Sequence, residues 1–177
     1  LKIEGYLPTH TTDDALQAMI YYTRREYLHP QVQELAQDIV AGIHPSDQTS
    51  QMIAIIHWIK NNMKYVKDEV EAARLFGTSG DLEMVKSPSA VLRSGRYDCD
   101  CIATLIAAML ISIGIKARFI VVGFAPQEVT GPDGFEHVYA QGYDEAAGTW
   151  MILDPVSHPM ERQMILDTKQ ARIYDLS

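Results

Sequence analysis

Cysteine is scarce in this chain. Two residues among 177 are cysteines, Cys99 and Cys101, separated by a single position. Two thiols at that spacing cannot build the multi-bridge framework of a small secreted domain. The core must come from apolar burial, and 47% hydrophobic residues suffice for it. Basic residues are also short: 15 Lys and Arg against 23 Asp and Glu give a formal charge of −8. That balance argues against nucleic acid or an anionic membrane as the main partner, since both want basic patches. No apolar run reaches the roughly 20 residues that cross a bilayer. No internal repeat, low-complexity segment or secretory leader is recognisable. The expectation is one compact cytoplasmic domain, although a start at Leu1 rather than Met is compatible with a removed leader.

What is present is organised around residues 94–118, SGRYDCDCIATLIAAMLISIGIKAR. The apolar run from Ile102 to Ile113, closed by Gly114, predicts a buried helix with a glycine C-cap. Asp98 suits its N-cap, which puts Cys99, Asp100 and Cys101 in the first turn. A thiol there meets the positive end of the helix dipole and unpaired backbone N–H groups, both of which favour thiolate. The flanking carboxylates of Asp98 and Asp100 work against it, so they must point away or be outweighed by a cationic partner.

Upstream, residues 1–10 read as extended. A helix starts at Thr12-Asp13-Asp14 and stops near His29-Pro30. A second helix opens at Pro30, with Val32, Leu35, Ala36, Ile39 and Val40 on its apolar face, and ends at Gly42. A third is capped by Ser46 and Asp47, with a core stripe of Met52, Ile55, Ile56, Ile59 and Met63; Ile53 and Trp58, off that stripe, suggest cover on two sides. Tyr65 and Val66 make a short strand at most. Residues 67–86 read as a long loop, followed by a short helix over Ser89 to Arg93.

Downstream the texture changes to strands: Ala117 to Gly123, Phe135 to Tyr143 and Thr149 to Asp154, with a turn over 144–148 (DEAAG). Met164, Ile165 and Leu166 are a candidate edge strand. Along Phe135 to Tyr143, His137, Tyr139, Gln141 and Tyr143 share one face. If Tyr143 pairs with Gly148, His137 lies directly opposite Asp154 and projects from the same face. Packed against the start of the cysteine helix, this hairpin would complete a nucleophile–base–orienter set. A cysteine of the first turn would supply the nucleophile, His137 would take and return the proton, and Asp154 would fix the imidazole. The amide of that cysteine would face the developing oxyanion.

Those residues carry a resemblance. GRYDCDCIA, the apolar helix, GIKAR, and then EHVYAQGYDEAAGTWMILDPV resemble three ordered blocks of the transglutaminase-like superfamily of papain-like cysteine enzymes. The likeness spans residues 95–154 and includes an HVY strand like that of bacteriophage and prophage members, which would make the protein virion-associated. It implies Cys99, His137 and Asp154 as the catalytic triad of a cysteine peptidase or amidase working through an acyl-thioester. A transamidase with the same triad is the alternative, as is a non-catalytic structural or binding module that keeps the fold. The family often has an acidic residue where this chain has Cys101.

No cofactor is implied, and the partner expected is a protein or peptide substrate. Tyr97 and Trp150 are candidates to line its groove, with simple packing as the other reading. Trp58, Asn61, Asn62 and Tyr65 are equal candidates for a second oxyanion donor. Cys101 reads as a small core residue or back-up thiol. With Cys99, His137 and Asp154 it also offers donors that suit zinc, although structural zinc sites usually space cysteines by two or more residues. His10, His29, His44 and His57 carry no catalytic signal; His158 follows Asp154 closely enough to border a cleft. The fold expected is α+β and papain-like: an N-terminal helical part (1–66) and a core (67–177) in which the cysteine helix packs on a small antiparallel sheet.

Overall fold

The structure is a computed structural model and describes residues 4–67, 70, 83–125, 134–156 and 168–176. Three helices come first: α1 (Thr12–Glu26), α2 (Pro30–Val40) and α3 (Gln48–Asn62). The Thr11 hydroxyl caps α1 by accepting from the Asp14 amide at 3.1 Å, with Asp13 and Asp14 in the first turn and Arg24 and Arg25 in the last. This charge order opposes the helix dipole at both ends. Pro30 sits at the start of α2, where its missing N–H costs nothing, and Asp47 caps α3. Met52, Ile55 and Ile59 are buried as the stripe predicts, but Ile53 faces solvent. Trp58, the other residue off the stripe, is partly buried against the core, so the cover beyond the stripe is on the Trp58 side alone.

Around these helices run β1 (Tyr6–Thr9), β2 (Lys64–Tyr65), β3 (Glu83–Lys86), α4 (Pro88–Ser94) and β4 (Arg96–Tyr97). Strand β3 corrects the loop expected over 67–86: its residues pair antiparallel with β1, Tyr6 opposite Lys86. A four-residue strand whose partner lies nearly eighty positions away has no local signature. The rest of that loop, 68–69 and 71–82, lies outside the described residues, as do Met164 to Leu166 and His158.

Helix α5 (Cys99–Ser112) is the centre of the core, with every residue from Asp100 to Leu110 buried. Asp98 caps its start by accepting from the Cys101 amide at 3.2 Å. Its end is a Schellman turn: Gly114 takes φ +84°, its N–H reaches Ile111 O at 3.0 Å, and Ile115 N–H reaches Leu110 O at 2.9 Å.

The chain then reverses into a four-stranded antiparallel sheet of β5 (Ala117–Gly123), β6 (His137–Asp144), β7 (Thr149–Leu153) and β8 (Gln170–Asp175), in the order β7-β6-β5-β8. Phe119, Val121, Val138, Ala140 and Leu153 join the helices in one apolar cluster, so α5 and α3 cover this inner face. The alternate set carries Ile120, Val122 and Tyr139 in a smaller outer cluster. The two edge strands are β7, paired with β6, and β8, paired with β5.

Candidate functional site at the head of the central helix

The turn at Gly114 sends β5 back along α5. Fourteen helical residues rise about 21 Å and seven strand residues about 23 Å, so the end of β5 returns to the level of Cys99. Leu110, at the other end of α5, lies beside Gly142, at the far end of β6. Strand β6 begins where β5 ends, with His137 opposite Val122. Strand β7 runs back to finish at the same end, and Asp154 follows its last residue. The start of α5, the start of β6 and the end of β7 thus gather at one end of the sheet. Electrostatics agree. Tyr97, two residues before Cys99, has its pKa raised by burial and then by the negative charge of Asp154. Tyr139, two residues after His137, is raised by burial and by the same carboxylate.

His137 Nε2 donates to Asp154 Oδ2 at 2.8 Å, and the two side chains are only 12% and 7% exposed. The other oxygen, Asp154 Oδ1, accepts from the Val156 amide at 3.1 Å. The carboxylate is therefore held from both sides. Because a carboxylate can only accept, Nε2 must carry a hydrogen, and the neutral ring then has its lone pair on Nδ1.

The hairpin register differs from the expected one. Tyr143 pairs with Trp150 and Asp144 with Thr149, not Tyr143 with Gly148. Extended, this register sets Asp154 opposite Tyr139 and diagonal to His137. The turn explains it. Gly148 takes φ +66° and bonds its N–H to Asp144 O at 2.8 Å, while Asp144 Oδ1 accepts from the Ala147 amide. Gly148 belongs to the turn, so the four-residue loop moves one position along the chain, from 144–147 to 145–148: β6 gains Asp144 and β7 starts at Thr149. Moving both ends of the loop by one changes the pairing by two and keeps every side chain on its face, whereas a change of one would have flipped them. His137 and Asp154 still meet.

The two cysteines have opposite surroundings. Cys99 is partly exposed at the first helical position, on the rim of the main apolar cluster. Cys101 is fully buried; its sulfur accepts from the Lys86 amide at 3.2 Å and donates to Met84 O at 3.5 Å. Burial pushes the Cys101 thiol well above its usual range, Asp100 and Asp98 push it further, and Lys86 opposes them. Asp98 and Asp100 are buried beneath the turn, and both accept from the Cys101 amide. Among the described residues, Asp98, Asp100 and Cys101 are the group whose donor atoms lie within 4.8 Å of one another. Both carboxylates are engaged by the helix amide, which makes this a helix cap. The zinc set of Cys99, Cys101, His137 and Asp154 does not gather in that way, because Cys101 turns to β3.

Tyr97 is buried beside the dyad. Trp150 is not near it: four strand residues, about 13 Å, separate it from Asp154. There it packs on Tyr143 and lies under the Arg118 guanidinium, 4.0 Å from its ring centroid. Of the four upstream polar candidates, Tyr65 reaches this end. Strand β2 pairs parallel with β4, and the Tyr65 ring stands edge-on to Tyr97 at 5.8 Å. Asn62 instead donates to Trp58 O within α3. Only the parallel β2–β4 pairing singles out Tyr65, and a two-residue ladder leaves no pattern in the sequence.

Among solved structures, the chain is similar to a "putative protease" of Parabacteroides distasonis ATCC 8503. The TM-score is 0.57 at 18% identity, over 91% of this chain and 29% of that one. It is also similar to a "putative cysteine protease" of Cytophaga hutchinsonii, with TM-score 0.54 and 21% identity over 88% of this chain and 50% of that one. The chain thus spans half or less of the length of either, and at these identities the likeness is one of fold. No curated protein matches the sequence. Among the described residues, no helix is long and apolar enough to cross a membrane. The sequence profile of the transglutaminase-like superfamily matches residues 33–155, which holds the head of α5 and the whole β6–β7 hairpin, and the chain belongs to that superfamily.

Proposed function

We propose that the protein is a cysteine-dependent amide hydrolase, a peptidase or amidase, with Cys99 as nucleophile, His137 as base and Asp154 as orienter. The observation that carries this reading is the buried 2.8 Å bond from His137 Nε2 to Asp154 Oδ2 at the end of the sheet shared with the start of α5. A charge-assisted bond of that length fixes the ring and commits Nδ1 to proton exchange. The superfamily, and neighbours named as proteases, point the same way.

The chemistry follows from the parts. Nδ1 takes the Cys99 proton, and the thiolate attacks the amide carbonyl carbon; a C–S bond forms and the carbonyl π pair moves to oxygen. The Cys99 amide stands at the very start of α5, at the positive end of the helix dipole, so it suits that oxyanion, with the Tyr65 hydroxyl as second donor. Collapse breaks the C–N bond as the imidazolium protonates the leaving amine. Water, deprotonated by His137, then cleaves the thioester and returns the thiol. An amine in place of water makes the reaction a transamidation, which is the other outcome of the same intermediate.

The test is the rate of iodoacetamide alkylation against pH, mapped by mass spectrometry, in wild type, Cys101→Ala and His137→Ala. Fast labelling of Cys99 at about pH 6, against an ordinary thiol near 8.5, and its loss in His137→Ala are expected. Labelling that begins only near pH 8.5, or falls on Cys101, would sink the reading in favour of a structural module.

A further inference from the structure

The proposed nucleophile stands between two acidic neighbours, Asp98 and Asp100, each only 7% exposed. Carboxylates that near water would be screened; buried, they act at nearly full strength against a thiolate on the same turn. The site therefore needs a positive charge near those carboxylates. Lys86, the last residue of β3, is a cation whose charge acts on Cys101 in the same turn. It is completely buried, which is rare for a lysine. Its backbone N–H donates to Cys101 Sγ at 3.2 Å, and that sulfur lies within 4.8 Å of carboxylate oxygens of both aspartates. The ammonium is 5.9 Å from the Tyr6 ring centroid, so an aromatic face shares its enclosure.

The other titratable groups around the turn do not fill the role. Tyr97 from β4 and Tyr22 from α1 have pKa values pushed upward, Tyr22 to about 12, and stay neutral. Glu26 from α1, which accepts from the Ser89 amide, and Asp154 from the hairpin have the wrong sign. Cys101 is held protonated by its burial, and His137 is already engaged. Arg96, on β4, is a cation but, unlike Lys86, only partly buried.

We propose that Lys86 is a positioning residue of this site: its buried ammonium offsets Asp98 and Asp100 beneath the first turn of α5 and so lets Cys99 carry a negative charge. The proposal rests on the reading of Cys99 as nucleophile. It makes β3 part of the site, although no residue of β3 touches the reacting atoms.

The experiment is the same alkylation profile on the full chain, for wild type, Lys86→Met, Asp100→Asn, the Lys86→Met/Asp100→Asn double variant and Arg96→Met, with cooperative thermal melts to show that each is folded. Lys86→Met should move the Cys99 midpoint up by about one pH unit, which is roughly tenfold slower labelling at pH 6. The double variant, which loses one charge of each sign, should return towards wild type. Should Lys86→Met alone not fold, the gap between Asp100→Asn and the double variant reads the same effect. Coinciding profiles for those two, or a larger shift from Arg96→Met than from the Lys86 change, would overturn the proposal. A wild-type midpoint near 8.5 would overturn the nucleophile reading and this with it; a low wild-type midpoint that ignores Lys86 overturns this alone.

Discussion

The β6–β7 hairpin has an aspartate at each end, and the two are used in opposite ways. At the turn, Asp144 accepts from the Thr49 hydroxyl of α3 and from the Ala147 amide. It ties the turn shut and the hairpin to a helix. At the open end, Asp154 has one oxygen on a backbone amide and the other on the His137 imidazole. Both carboxylates are buried and both are satisfied. The difference lies in what the partner can do next: a threonine hydroxyl holds its proton, whereas a histidine can pass one on at neutral pH. Burial and hydrogen bonding do not separate the two carboxylates; the titratable partner does, and the proposed function rests on it.

The comparison breaks most sharply by removing the chemistry at one end and leaving the other. His137→Ala should cost about 10²–10⁴-fold in turnover, read by mass spectrometry on a mixed peptide library, while Asp144→Ala leaves turnover per folded molecule near wild type. Equal losses from both would erase the distinction. Next in size is Gly142→Ala, near the turn end. An added Cβ would collide with Met52 Sδ and meet Leu110 Cδ1 at 3.1 Å. Overpacking there should destabilise by about 1–3 kcal/mol in urea unfolding, without moving the Cys99 labelling midpoint.

A smaller effect is expected from acid. The Thr49 and Ala147 bonds hold the Asp144 carboxyl below its ordinary value. A depressed value means the folded state binds its proton less readily than the unfolded one. The stabilisation is therefore complete above about pH 4 and is lost as pH falls through the folded value. Melting temperature should fall more steeply from pH 5 to pH 2 in wild type than in Asp144→Asn; parallel curves would remove the staple role. The smallest change concerns Trp150. Trp150→Leu forfeits the Arg118 stack, worth about 0.5–1 kcal/mol at a partly exposed site. A raised KM in that variant would extend the substrate groove to the turn end of the hairpin, and an unchanged one would confine it to the Tyr97 end.

Much of this site was legible because its signals are local. Asp98 and Gly114 bracket the central helix by capping chemistry that needs only a few neighbouring residues. Alternation along β6 put His137 on the same face as the end of β7, and the face survived even though the register was two off in the pairing sum. That error was itself readable, since a glycine after DEAA is a candidate for the left-handed position that closes a turn. The place of the two thiols was also available: Asp98 as N-cap puts Cys99 and Cys101 in the first turn of the helix, where both stand.

The sequence by itself determined the helix, its caps, the hairpin and the identity of the residues brought to its open end, because periodicity and capping act over a turn or a strand. Tertiary structure alone decided that Glu83–Lys86 is a strand rather than loop, that Gln170–Asp175 pairs with β5 at one edge of the sheet, that Tyr65 stands beside Tyr97, and that a lysine lies fully buried with its backbone N–H on Cys101 Sγ. The reason is the same in each case. Short strands and buried charges are stabilised by partners far away in the chain, and nothing within a few residues of them records where those partners are.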